Sequence, residues 1–216
     1  MNERYETGGD INRDERIGFR SSLRSDYYGE SDTETGFDLC EGTDDSYEND
    51  VDDFEDSNIG KDLNEAQNEH LDSILVSFLG DNWNDISLQE QKKSITDLAN
   101  YAISDMGIKN PPEIVFRNDM PDGSYGGYLS GSNVIEINVN MLDDAEEAAD
   151  TITHEMWHAY QQECANDPTS EKGRAYRDGF DNYISPEYDF EGYENQMVEA
   201  EARDYAQGYK DKLARL

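Results

Sequence analysis

Apolar residues recur at helical spacing in two segments after residue 60, and both segments are predicted to be helices. The first is expected to end at Gly80, which suits a C-cap. The second begins with a capping-box pattern at Ser87 and Glu90 and is expected to stop at Gly107. The two apolar faces consist of Leu63, Ala66, His70, Ile74 and Phe78, and of Ile95, Leu98, Ala99, Ala102 and Ile103.

Three short apolar runs follow a pair of prolines and are predicted to be strands. The runs are residues 114–116, 128–129 and 134–139. A glycine-rich turn precedes the second run, and a hairpin turn joins it to the third. In the third run, Ile135 and Ile137 alternate with Glu136 and Asn138, which is typical of a strand with one solvated face. We expect this strand to form the edge of the sheet beside a cleft.

Two further helices are predicted in the last third of the chain. One is capped by Asp143 or Asp144 and runs to about Glu163. The other runs from about Glu194 to Lys212. The apolar stripe of the first helix consists of Ala148, Ile152, Met156 and Ala159. Three aromatic residues at helical spacing lie between the two helices and are more typical of a core than of a site: Tyr176, Phe180 and Tyr183. The order of elements predicts an α+β domain with a small antiparallel or mixed sheet.

Composition divides the chain near residue 60. Residues 25–60 contain fourteen Asp and Glu residues and no Lys or Arg, and their apolar residues are scattered singly. Such a stretch buries too little apolar surface to offset the entropy lost on ordering. We therefore expect residues 1–60 to be a disordered acidic tail and residues 61–216 to form one folded domain. The tail is interpreted as a solubilising linker, with docking to a basic partner or autoinhibition across the cleft as alternatives.

The net charge of −34 argues against nucleic-acid binding and against an anionic membrane surface, because both need clustered cations. No apolar run is long enough to span a membrane, and the N-terminus lacks the apolar region of a signal peptide. Two cysteines, Cys40 and Cys164, do not make a disulfide framework. A cytoplasmic location is therefore expected, with export by a route that needs no cleavable leader as an alternative. The sequence gives no indication of the oligomeric state.

The strongest chemical signal is the run His154-Glu155-Met156-Trp157-His158. On a helix, a spacing of four places both imidazoles on one face, where they can hold one Zn²⁺ with Glu155 beside the metal. This pattern predicts a hydrolase. The plainer alternative is two histidines that fall one turn apart without a shared ligand, and the third histidine, His70, is expected to be an ordinary helix residue.

A catalytic zinc ion needs a third protein ligand and an open position for water. Some H-E-x-x-H proteins continue with a glycine and a third histidine, but those positions are Gln161 and Cys164 here. No histidine follows His158, so the third ligand is expected to be a carboxylate or, as an alternative, Cys164. The predicted final helix is rich in acids and is the best source of that carboxylate.

Two glutamates of that helix, Glu199 and Glu201, are candidates for the third ligand. Glu199 shares its helix face with Ala202 and Ala206, whose small side chains let two helices approach closely. Glu201 shares its face with larger residues such as Tyr205. Glu199 is therefore favoured and Glu201 stays open. Without the upstream motif, a solvated charged helix would be the better interpretation of this segment.

With these residues in place, the chain resembles the zincin metallopeptidases, specifically the gluzincin type as found in small single-domain proteins of bacteria and phages. In that type a glutamate from a later helix, within an E-x-x-A-[DN]-like pattern, joins the H-E-x-x-H helix. Glu199 and Ala202 match the pattern, whereas Arg203 replaces its usual Asp or Asn. The resemblance covers residues 110–209 as an order of elements.

The resemblance implies a zincin-like domain in which His154, His158 and Glu199 hold Zn²⁺ and peptide bonds of a protein or peptide substrate are hydrolysed. Glu155 would accept a proton from the attacking water and deliver it to the leaving amine. The substrate backbone would pair with the predicted edge strand at residues 136–139.

Two supporting roles follow from the same resemblance. A tyrosine, Tyr188 or Tyr193, would stabilise the oxyanion. Glu201 or Asp204 would make the outer contact to a zinc-bound histidine that Arg203 cannot make.

Three other functions stay open at the level of sequence. A non-catalytic zinc-binding module would use the same ligands. An interaction protein could rely on the acidic tail alone and would be indifferent to changes at His154. A zincin-type effector or toxin would share the chemistry but act in another setting.

Overall fold

The computed structural model describes residues 16–17 and 57–216, with side chains from residue 65 onward. The described helices are α1 Ser57–Leu75, α2 Gly80–Asp85, α3 Leu88–Met106, α4 Ala145–Ala165, α5 Glu171–Asp181, α6 Phe190–Asn195 and α7 Met197–Leu213. The described strands are β1 Arg16–Ile17, β2 Glu113–Arg117, β3 Gly126–Leu129 and β4 Val134–Asn138. The α+β class is confirmed. Most of the predicted tail, residues 1–60, lies outside the described residues.

The helix ends that carry strong local signals form where the sequence predicts them. The Ser87 hydroxyl accepts the Glu90 N–H, and a Glu90 carboxylate oxygen accepts the Ser87 N–H at 2.8 Å, so the capping box opens α3. Gly107 ends α3 with a φ of 65°, a left-handed conformation that favours glycine. Asp144 caps α4 by accepting the N–H groups of Glu146 and Glu147.

The first predicted helix ends differently from the expectation. α1 stops at Leu75, a short 3₁₀ turn follows, and Gly80 begins α2 instead of capping α1. The new helix turn carries Trp83 into the core, where its indole N–H donates to the Leu142 carbonyl at 2.8 Å and its ring stacks on Phe78. Burial of this large aromatic side chain outweighs the tendency of a glycine to end a helix.

The strands form one sheet in the order β1-β3-β4-β2. β2 runs parallel to β4, and β3 runs antiparallel to β4, so the sheet is mixed. The prediction that residues 134–139 form the sheet edge is wrong, because β4 lies between β3 and β2. Its expected solvated face is also covered, since Glu136 is bound by Arg117 and the Asn138 amide donates to the Ser124 carbonyl.

α4 is the centre of the fold and is buried along almost its whole length. α7, α3 and α5 pack around it, and the sheet contacts it chiefly through β3. Alanines on both partners, including Ala148 and Ala159 of α4 and Ala202 and Ala206 of α7, are at most 4% exposed and let α4 and α7 approach closely. The predicted apolar stripe of α4 is therefore only one of its buried faces, and the face that carries the histidines is buried against α7.

Candidate metal centre

Three ligand-type side chains from α4 and α7 meet in the interior. His154 and His158 are one turn apart on α4, and Glu199 lies in the first turn of α7. The two histidine Nε2 atoms are 3.1 Å apart, and Glu199 Oε2 and Oε1 lie 3.3 Å from His154 Nε2 and 3.4 Å from His158 Nε2. All three residues are buried, and together they form a group that can hold a metal ion.

The distances between these donor atoms fit a small tetrahedral cation. For metal–ligand bonds of 2.0–2.1 Å, neighbouring corners of a tetrahedron are about 3.3 Å apart. The two Nε2 atoms are 3.1 Å apart, and each lies 3.3 or 3.4 Å from one of the two Glu199 oxygens, which is close to that spacing. With one donor atom from each residue, all three atoms lie within 4.8 Å of one another. Two imidazole nitrogens with one carboxylate are a donor set that suits zinc, whereas calcium and magnesium prefer oxygen ligands. The residues present therefore fit a zinc ion.

A glutamine fixes the ring of His158. Gln161, one turn further along α4, accepts the Nδ1–H of His158 at 2.9 Å. The amide is oriented because its NH₂ group donates to the Val198 carbonyl at 3.0 Å. With its proton on Nδ1, a neutral His158 directs the lone pair of Nε2 toward Glu199 and His154, as a metal ligand must. In the sequence, Gln161 was noted only because it stands where some H-E-x-x-H proteins have a glycine. Its position three residues after His158, on the same helix face, was the signal that could have identified it as a partner of that histidine.

The same amide connects the centre to Glu201. Gln161 Nε2 lies 3.4 Å from a Glu201 carboxylate oxygen, which also accepts the Tyr176 hydroxyl at 2.6 Å. Glu201 therefore supports His158 through Gln161 and does not belong to the ligand group. Burial, followed by the hydrogen bond to Glu201, raises the pKa of Tyr176. Of the two acids that the sequence proposed for a contact to a ligand histidine, Glu201 lies in this network and reaches His158 only through Gln161.

Two tyrosines surround Glu199. The Tyr183 hydroxyl donates to Glu199 Oε1 at 2.7 Å, and Tyr193 also hydrogen-bonds to this carboxylate. Burial raises the pKa of Tyr193 well above its ordinary value, and the nearby charges of Glu199 and Glu155 add to the effect. Tyr193 thus remains a neutral donor at the centre. Of the two tyrosines that sequence proposed, only Tyr193 reaches the site, because Tyr188 is 91% exposed.

The charge on Glu199 is stabilised by the histidines. Burial by itself raises the pKa of this carboxyl, but the charges and hydrogen bonds of His158 and His154 outweigh burial and hold the pKa well below its usual range. Burial likewise acts to lower the pKa of His158, yet the Glu199 carboxylate raises it overall. Glu199 is therefore anionic, and the pocket provides a negative charge where a cation would bind.

Glu155 lies next to this group on the same helix. It is fully buried, and its charge contributes to the raised pKa values of His158 and Tyr193. Since residues 154 and 155 are adjacent, Glu155 flanks the histidine face of α4, as the motif predicts. The arrangement places a carboxylate beside the candidate cation position without making it a ligand of that position.

The other candidates from sequence lie elsewhere. Cys164 is disulfide-bonded and lies outside the ligand group, so it is not the third ligand. Asp204 is exposed, and Arg203 donates to the Glu194 carbonyl instead of reaching a histidine. His70 lies exposed on α1, as expected, with its ring 6.0 Å from that of Tyr101.

A cavity of about 500 Å³ lies between α1 and α3, away from the candidate centre. Its lining is mostly polar and includes His70, Asp97, Tyr101 and Asp105. None of the motif residues borders it. This groove has no buried polar group directed into it that would identify a ligand.

Comparisons of the chain with protein-family models, with curated proteins and with solved structures find no match. Within the described ranges, every helix is too short or too polar to cross a membrane. The geometry of the site therefore carries the functional argument by itself.

Proposed function

We propose that this protein is a zinc-dependent metallopeptidase of the zincin type, and that His154, His158 and Glu199 hold the metal. The observation that carries the proposal is the buried cluster of two Nε2 atoms, 3.1 Å apart, and one carboxylate, whose two oxygens lie 3.3 Å from His154 and 3.4 Å from His158. The adjacent Glu155 supplies the proton-transfer group that hydrolysis needs. The substrate is a protein or peptide.

The number of ligands favours catalysis over a structural zinc site. Structural sites are closed by four protein ligands, whereas catalytic sites use three and leave one position open. Among the described residues, the ligand group has three members. A non-catalytic zinc-binding module therefore remains the weaker alternative, and an effector or toxin role would use the same chemistry in another setting.

The chain's own residues divide the work of the proposed reaction. Gln161 and Tyr183 orient His158 and Glu199 through hydrogen bonds of 2.9 and 2.7 Å. A zinc ion, when bound, supplies Lewis acidity that lowers the pKa of a coordinated water and polarises a carbonyl. Glu155 accepts the proton of the attacking water and passes it to the leaving amine. Tyr193, kept neutral by its raised pKa, donates to the developing oxyanion.

Metal content tests the ligand assignment directly. We expect the purified protein to bind one zinc ion, and His158→Ala to lose it, because two of the three ligands do not form a tight site. His70→Ala is the matched control, since His70 is exposed and outside the ligand group. Elemental analysis after gel filtration gives the stoichiometry. Zinc retained by His158→Ala, or zinc lost by His70→Ala, would contradict the assignment.

Glu155→Gln tests catalysis separately from binding. The amide keeps the size of the side chain but cannot accept a proton, so we expect zinc content to persist while peptide hydrolysis falls by about 10² to 10⁴-fold. Hydrolysis is measured on a peptide library by mass spectrometry. Glu171→Gln, at an exposed acid in the first turn of α5, should leave activity unchanged. Full activity of Glu155→Gln would remove the proposed base.

A further inference from the structure

The outer edge of β3 is already occupied by another part of the chain. β1 pairs with β3 in an antiparallel arrangement, with Arg16 opposite Leu129 and Ile17 opposite Tyr128. Without β1, β3 would be the free edge of the sheet, because β4 pairs with its other side. A free edge presents unpaired N–H and C=O groups that accept an extended peptide. β4 is an inner strand and offers no edge, whereas β3 would be one outer strand of the described sheet and β2 is the other. Of these two, β3 makes the larger contact with α4, so β3 is the edge on which a peptide can lie beside the candidate centre.

β3 runs beside the metal-binding turns of α4. At Gly126 its backbone approaches so closely that an added Cβ would lie 2.7 Å from Thr151 Cγ2, one turn before His154 and Glu155. β3 packs on α4, and its Gly126 end lies beside Thr151, one turn before the residues of the candidate centre.

The candidate centre is closed in this conformation. His154 is 1% exposed, and Glu155, His158 and Glu199 are each 0% exposed. A peptide bond cannot reach Glu155 unless part of this covering moves.

We infer that the segment Arg16–Ile17 is a resident, self-blocking occupant of the peptide-docking edge of β3, and that it must leave before a substrate peptide can add to the sheet. This inference rests on the proposed peptidase function.

The segment that holds the occupant differs in charge from the stretch that follows it. Residues 1–24 contain five Arg and five Asp and Glu residues, whereas residues 25–60 contain fourteen acids and no Lys or Arg. β1 therefore belongs to a segment of balanced charge, which an acidic domain repels less than the acidic stretch that follows. A tethered occupant also competes at an effective concentration of the order of mM.

Ile17→Pro in the full-length chain tests the inference. Proline has no N–H and holds φ at about −65°, away from the extended φ of an antiparallel strand, so this change should release β1. Ile11→Pro places the same substitution outside β1 and is the matched control. We expect Ile17→Pro to speed hydrogen exchange at Gly126–Leu129 and to tighten binding of a labelled peptide of residues 10–22 by about tenfold or more. It should also lower the KM for extended peptides.

The outcomes separate this inference from the proposed function. Unchanged exchange at β3 in Ile17→Pro, or unchanged binding of the labelled peptide, would overturn the inference whatever the enzymatic activity. Faster exchange and tighter binding in a protein that hydrolyses nothing would keep the docking edge and refute the peptidase. A third outcome is faster hydrogen exchange at β3 in Ile17→Pro with an unchanged KM for peptide hydrolysis. That result would show that substrates do not use this edge and would also overturn the inference.

Discussion

Gln161 orients a histidine of the candidate centre, although it does not belong to the ligand group. Its carbonyl oxygen accepts the His158 Nδ1–H, and its NH₂ group is held by the Val198 carbonyl at the start of α7. One side chain therefore links the orientation of a histidine on α4 to the helix that carries Glu199. Such outer contacts commonly affect metal affinity by 10- to 100-fold.

Gln161→Leu is expected to weaken zinc binding by about 10- to 100-fold, because it removes the acceptor that orients His158. Competition titration with a chromogenic chelator measures the affinity. Gln162→Leu, the same substitution at the next position of α4, is the control and should bind zinc normally. The far-UV circular dichroism of both apo variants at 25 °C verifies that they are folded, so that a change in affinity is attributable to the site. Equal affinity of the two variants would argue against this role for Gln161.

At the scale of single residues, the sequence predicted the ligands better than their surroundings. His154, His158 and Glu199 come together as expected, since helical spacing and small neighbours are local properties. Tyr183 and Gln161 were not predicted as part of the site. Their contacts depend on how α5 and α7 pack on α4, which no local pattern in the sequence specifies.

Among the elements, the contact between β3 and α4 fixes the position of the proposed docking edge. Gly126 is required there because a Cβ would meet Thr151 Cγ2 at 2.7 Å and the Glu136 carbonyl oxygen at 2.9 Å. The strand and helix cannot move apart without separating the docking edge from the ligand turns. A glycine in a strand often marks such a close backbone approach.

Gly126→Ala should lower the free energy of unfolding by about 1–3 kcal/mol, the usual cost of overpacking. For Gly208→Ala, in α7, we expect the free energy of unfolding to rise, because nothing lies within 4 Å of the added Cβ. Alanine there should stabilise the protein by about 0.5–1 kcal/mol. Urea unfolding followed by circular dichroism compares the two. A Gly126→Ala protein as stable as Gly208→Ala would show that β3 is not held tightly against α4.

The element predictions succeeded where the signal is local. The capping box at Ser87 and the left-handed Gly107 define α3, and Asp144 begins α4. The prediction failed for β4, because alternation of side chains describes the faces of a strand and not its position in the sheet. It also failed at Gly80, where burial of Trp83 decides the path of the chain.

At the scale of the whole molecule, the chain concentrates negative charge. The net charge is −34, and among the described residues five acids and two histidines are buried on α4, α7 and β4. Cys164 on α4 is disulfide-bonded, and the sequence has one other cysteine, Cys40, outside the described residues. Disulfides are typical of oxidising compartments. The bond at Cys164 therefore does not favour the cytoplasmic location that was predicted from the cysteine content, and that location stays a prediction.

Zinc should stabilise the whole fold, because its ligands come from two helices that form the centre of the domain. At a free zinc concentration of 100 times the Kd, linkage adds about 2.7 kcal/mol, which raises Tm by roughly 5–10 °C for a chain of this size. Differential scanning calorimetry with zinc and with EDTA measures the shift. Calcium should have no effect, and neither should zinc on His158→Ala. An equal shift with calcium would indicate a different site.

The sequence by itself determined the class of the fold, the caps of α3, the histidine face of α4 and the preference for Glu199 over Glu201, because each depends on spacing along one helix or on residues a few positions apart. Only the tertiary structure decided that β4 is an inner strand, that Arg16–Ile17 pairs with the outer side of β3, and that Gln161 and Tyr183 contact His158 and Glu199. Those features arise where segments distant in sequence meet, and their relative positions are fixed by packing around α4 and not by any local pattern.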